Sequence, residues 1–145
     1  MEVKTEYNLN TIYYTSNNVL DKSDYLAEHA VMFNFKSEPG EDVIRFAFNT
    51  GPIMNPEHVH VLLTNPKPAP MPGIVSTYNI TNETPGLILI GIKINDVVIE
   101  HKPVNLVLRM DYMDHFNAAG ILTGTVKEEN GINSVTIAFK FDTRV

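Results

Sequence analysis

The segment from Leu87 to Asn95 alternates so regularly that a helix cannot use it. Ile88, Ile90, Ile92 and Ile94 fall on one face, and Leu87, Leu89, Gly91, Lys93 and Asn95 fall on the other. A period of two places successive side chains on opposite sides of an extended strand. The second face is apolar at its Leu87–Leu89 end, which predicts a central strand flanked on both sides. Pro85-Gly86 precedes the run. Asn95-Asp96 follows it and predicts a tight turn into Val97-Val98-Ile99.

The same period recurs along most of the chain. Val31, Phe33 and Phe35 alternate, a Ser37-Glu38-Pro39-Gly40 stretch follows, and then Ile44, Phe46 and Phe48 alternate, which predicts a hairpin. Val59, Val61 and Leu63 form one face of a further strand, with His58 and His60 on its wet face. Val75 to Thr81 is another strand, and Leu106, Leu108, Met110 and Tyr112 mark one more. The last two strands, Ile121 to Lys127 and Val135 to Phe141, are joined by Glu129-Asn130-Gly131, whose Asn-Gly predicts a hairpin turn. Val135, Ile137, Phe139 and Phe141 face inward. Helical periodicity is weak, and its best candidate is Leu20 to Glu28.

Eight to ten short strands, each wet on one face, predict an all-β antiparallel two-sheet sandwich, immunoglobulin-like or jelly-roll-like. A closed β-barrel is the alternative. The 145 residues suit one domain spanning 1–145, with a stiff proline-rich connector at 65–73. Cysteine is absent, which removes disulfides, thiolate metal sites and cysteine nucleophiles. The net charge is −6 and the eleven basic residues form no run, so nucleic acid is an unsuitable partner. No apolar run approaches the roughly 20 residues of a transmembrane helix. Met1 to Glu6 has neither a basic nor an apolar leader region, so the expectation is a chain made without a leader or a mature form.

Pro72-Gly73-Ile74-Val75-Ser76-Thr77-Tyr78-Asn79-Ile80, Met110-Asp111-Tyr112, Gly120 to Val126 and Val135 to Asp142 together resemble small β-sandwich lipoprotein domains of unknown function in Bacteroidota. The resemblance covers about half the chain. Lys140 stands where that group has a glycine, and the lipobox cysteine is missing. The resemblance implies an extracytoplasmic sandwich and carries over no catalytic residue.

Chemistry-bearing candidates are few. His58 and His60 point the same way on a strand and can offer two imidazoles to one metal, with His29, His101, His115, Glu28 or Asp114 as a third ligand. Their alternation with Val59 and Val61 is equally the pattern of a wet strand face. Asp111, Asp114 and His115 at a strand end suit proton transfer or an ordinary solvated loop. Tyr7, Tyr13 and Tyr14 suit an aromatic surface or a core. Met54, Met71, Met110 and Met113 suit Cu(I) or gap filling. Asn79 and Asn82 open glycosylation sequons that chance also supplies. No nucleophile elbow or phosphate-cradling glycine loop is present. The reading is therefore a non-enzymatic binding or assembly module without a cofactor, for a protein partner or a homo-oligomer. The alternatives are a metal-binding domain using His58 and His60, and an enzyme of unrecognised type.

Overall fold

The computed structural model describes residues 7–16, 19–26, 29–38, 41–49, 59–68, 71, 73–114 and 117–144; residues 23–26, 29–38, 41, 42, 46 and 49 are described by backbone pairing alone. The strands are β1 (Thr11–Ser16), β2 (Val19–Leu26), β3 (His29–Glu38), β4 (Glu41–Asn49), β5 (Val59–Thr64), β6 (Ser76–Thr81), β7 (Gly86–Ile94), β8 (Val97–Met113), β9 (Ala118–Glu128) and β10 (Ser134–Asp142). Every pairing is antiparallel. The order is β2-β1-β10-β9-β8-β7-β5-β4-β3, with β6 attached to β8. One continuous ladder therefore joins all ten strands where two separate sheets were expected. It ends at β2 and β3 and does not close into a barrel. Strands from both sides of the proline-rich connector share it.

β8 makes this single ladder possible. It is 17 residues long, and its first part pairs with β7 while its second part pairs with β6. β9 runs along its other edge, with irregularities between Pro103 and Asn105 and between Met110 and Tyr112. An extra residue in one strand shifts the side-chain parity and bends the ladder. His101 and Pro103 thus face inward, then Leu106, Leu108 and Met110, and then Met113. Tyr112, expected beside Met110, is half-buried instead because the second irregularity turned the face over.

The core forms where the ladder curls onto itself. Phe48 of β4 packs against Phe139 and Phe141 of β10, with ring centroids 4.9 and 5.6 Å apart, although four strands separate β4 from β10. Ile12, Ile44, Val59, Ile80, Ile90, Ile92, Leu106 and Leu108 complete the interior. The isoleucine row of β7 is inward as its alternation required, and β7 is flanked by β5 and β8. Asn95 and Asp96 both have positive φ, 50° and 64°, the backbone of a tight primed turn.

One local expectation fails. The helical candidate from Leu20 is strand β2 as far as Leu26, because the edge of β1 supplies a ladder. Residues 27 and 28 lie outside the described residues. The β9–β10 hairpin forms as expected, with Glu129-Asn130-Gly131 in its connection. Lys127 and Ser134 are its last pair, and Glu128 N–H donates to the Asn133 carbonyl at 3.0 Å, so the loop spans 128–133. Ile132 at its tip is 88% exposed.

Candidate functional site

Among the described residues, three strands have a partner on one side only: β2, β3 and β6. β2 and β3 carry charged residues in sequence, Asp21, Lys22 and Asp24 on one and Lys36 and Glu38 on the other. Charge on an edge strand discourages pairing with another chain. β6 reads Ser76-Thr77-Tyr78-Asn79-Ile80-Thr81, with neither charge nor proline.

The backbone of β6 shows which groups face outward. Thr81 N–H donates to Thr84 Oγ1 at 2.8 Å, and Thr84 N–H donates to the Thr81 carbonyl at 3.1 Å. Thr81 therefore turns both of its backbone groups away from β8. In an antiparallel ladder successive residues alternate in that direction. Ser76, Tyr78 and Ile80 bond to β8 opposite Met110, Leu108 and Leu106. Thr77 and Asn79 direct their N–H and C=O groups to the open side. Their side chains are exposed, whereas those of Ser76, Tyr78 and Ile80 are buried.

A cleft of about 300 Å³ lies beside this edge. Leu63, Tyr78 and Ile80 supply buried apolar lining, and Asn65, Lys67 and Asn79 supply polar groups at its margin. The end of β5 and the start of the connector form one wall, and the β6–β7 turn, with Thr84 and Pro85, forms another. Tyr78 is 3% exposed, and its hydroxyl has no hydrogen-bond partner among the described residues. Burial raises its pKa above the ordinary phenol value, and the Ser76 hydroxyl beside it lowers it by less. The sequence predicted the strand but not its open edge, because an edge is defined by which strand is missing beside it.

The acid–histidine neighbourhood predicted at the end of β8 is a clasp. Asp114 accepts hydrogen bonds from the Tyr112 hydroxyl and from Asn117 N–H, the latter at 2.7 Å. Asn117 Oδ1 accepts from Thr143 Oγ1, and Thr143 Oγ1 accepts from Ala118 N–H. The Arg144 guanidinium lies 4.1 Å from the Tyr112 ring centroid and pairs with Asp142 at 3.0 Å. Arg144 holds the Asp142 carboxyl below its usual pKa, and the bond to Asp114 raises that of Tyr112. Asp111 points away and pairs with Arg109 at 2.8 Å on the surface. His115 lies outside the described residues.

The two histidines whose side chains are described, His60 and His101, are not gathered. His58 also lies outside the described residues. His60 was expected on a wet face, but it is 8% exposed. It stands between Ala47 of β4 and Leu89 of β7 in the ladder. His101 lies in the adjacent row, opposite Ile90, and so faces the other side of the sheet from His60. It is 1% exposed, and its Nδ1–H donates to the Ile99 carbonyl at 2.8 Å. Burial lowers its pKa, opposed by the carbonyls of Ile99 and Ile90 and by Glu128. Side-chain positions for His29 and Glu28 lie outside the described residues. Among the described residues, no three His, Asp or Glu side chains are placed to hold a metal.

Other candidates take structural places. Met110 and Met113 are core residues, Met71 is exposed, and Met54 lies outside the described residues. Tyr14 is in the core, and Tyr7 covers Tyr13 at a centroid distance of 4.9 Å. On the surface, Glu129 bonds both Glu100 and Lys102, which raises the Glu100 pKa and lowers that of Glu129. Both carboxyls are exposed to water. No described helix is long and apolar enough to cross a membrane. The chain matches no protein-family model, no curated protein and no solved structure.

Proposed function

We propose that this protein is a non-enzymatic recognition and assembly module that takes up an extended protein strand along β6. The observation that carries the reading is the uncharged β6 edge, with the N–H and C=O groups of Thr77 and Asn79 directed outward beside a cleft with apolar lining. Added strands gain affinity from main-chain hydrogen bonds and selectivity from pockets that receive alternate side chains. The cleft lies on the buried face of β6, where every second side chain of an added strand would point.

The scaffold is a two-sheet sandwich in this reading, and the packing of Phe48 on Phe139 and Phe141 supports it. An extracytoplasmic recognition domain also suits the resemblance to Bacteroidota lipoprotein sandwiches. Panning a display library of random linear peptides against the purified protein tests the function. Enrichment of β-branched, extended sequences that fail to bind Asn79→Pro is the expected result. Absence of enrichment on protein that sediments as a monomer, or binding indifferent to that substitution, refutes strand uptake at β6.

A further inference from the structure

We infer that the strand taken up by β6 is β6 of a second copy, so that the protein forms a symmetric dimer; this rests on the strand-uptake reading above. The available backbone groups select the register. Thr81 is already bonded to Thr84, which removes it from the edge. By alternation the outward groups are those of Val75, Thr77 and Asn79. An antiparallel pair that uses these three residues of each copy has its twofold axis at Thr77. Thr77 then faces Thr77 of the second copy, and Val75 faces Asn79 on each side of the axis.

This segment is suited to face itself. A strand meets its own side chains across a twofold axis, so any charge near the axis would meet its like. Val75 to Asn79 contains no charge. Thr–Thr is a favourable cross-strand pair. β2 and β3 carry charges that would oppose themselves in such a pair. Ile74 and Val75, 49% and 61% exposed, lead into β6 with apolar surface that the second copy covers. The nearby charges, Lys67 and Glu83, lie outside the paired segment.

Sedimentation velocity across micromolar concentrations provides the test, with circular dichroism to confirm folding. The wild type should sediment as a dimer. Asn79→Pro removes an outward N–H that β8 does not use, so it should remain folded and weaken association at least tenfold. Thr77→Lys and Thr77→Glu should each weaken the dimer by placing like charges across the axis, and an equimolar mixture of the two should recover dimer. Recovery in the mixture is specific to the Thr77 axis and is not produced by misfolding. A wild type that stays monomeric at 100 micromolar, or a mixture that does not recover, overturns the self-pairing. Library peptides that still bind in an Asn79-dependent way would then leave strand uptake standing, whereas loss of both results removes the two readings together.

Discussion

Replacing Gly124 with alanine should be among the most damaging single-methyl additions in this protein, and Gly73 provides its control. Both glycines have positive φ, +138° at Gly124 and +80° at Gly73. A Cβ at Gly73 meets nothing within 4 Å. A Cβ at Gly124 would lie 2.1 Å from the Asn105 carbonyl oxygen and 2.8 Å from Leu106 Cα, both backbone atoms of β8. Gly124 is held between β8 and β10, opposite Leu106 and Ile137, so β9 cannot withdraw from one neighbour without pressing on the other. The unfavourable φ costs roughly 1–3 kcal/mol at either position. Restricting the unfolded chain returns about 0.4–1 kcal/mol at either position. Relieving the overlap at Gly124 requires β8 and β9 to separate by nearly 1 Å, from the 2.1 Å contact to the 3.0 Å below which real Cβ contacts essentially do not occur. Losing two flanking ladder bonds in this way adds about 1–3 kcal/mol. Gly124→Ala should therefore cost about 3–4 kcal/mol and Gly73→Ala about 1 kcal/mol. For a domain of this size that is a fall in Tm of roughly 10 °C against roughly 3 °C. Urea unfolding with an unchanged m-value measures both. A difference between the two variants below about 1 kcal/mol would show that the β8–β9 approach is not rigid and would refute the reasoning.

Two further outcomes are expected. Tyr78→Phe removes a buried hydroxyl that has no partner among the described residues, so stability should hold or rise by up to about 1–2 kcal/mol. Burial raises the pKa of Tyr78, so the native state loses stability as pH rises above the unfolded value of about 10, and the variant should lose part of that alkaline decline. A destabilisation above about 1 kcal/mol at neutral pH would mean that the hydroxyl is bonded. Burial lowers the pKa of His101, so below about 6.5 the unfolded chain binds a proton that the folded chain resists. Stability should therefore fall as pH drops below about 6.5, and His101→Asn, which retains a donor for the Ile99 carbonyl, should flatten that fall. Equal pH slopes in urea midpoints for wild type and variant would contradict this assignment.

Some elements were legible because their partners matter little to their pattern. The Ile88–Ile94 row and the Val135–Phe141 strand announce themselves by alternation; Ile88, Ile90, Ile92, Val135, Ile137, Phe139 and Phe141 are buried as read, and Ile94 is partly buried. The Asn95-Asp96 turn is local chemistry, and its positive φ values are those that Asn and Asp tolerate. Val97 to Met113 was read as two strands because Pro103 interrupts it and the apolar parity changes. It is one strand with irregularities, and β9 alongside determines where they fall. Leu20 to Leu26 has weak helical spacing, and the neighbouring edge of β1 outweighs that preference. Asn130-Gly131 is a turn signal whose loop is set instead by the Lys127–Ser134 register.

The candidate site divides in the same way. His60 looked wet because only its own strand was visible in sequence, whereas in the sheet it lies between Ala47 and Leu89 of the flanking strands and is buried. Asp114, which suited proton transfer or a solvated loop in sequence, accepts hydrogen bonds from Tyr112 and Asn117. The alternating strands themselves, including the uncharged run from Ser76 to Thr81, follow from sequence alone, because side-chain direction in a strand is a local property with a period of two. Which of those strands would be left with an open edge followed only from the tertiary structure. β8 is long enough to hold β7 and β6 in succession on one side, and once β6 is paired there, no second described strand pairs with its other edge. Hydrogen-bond partners in a sheet come from residues far apart in the chain, and no local period records them.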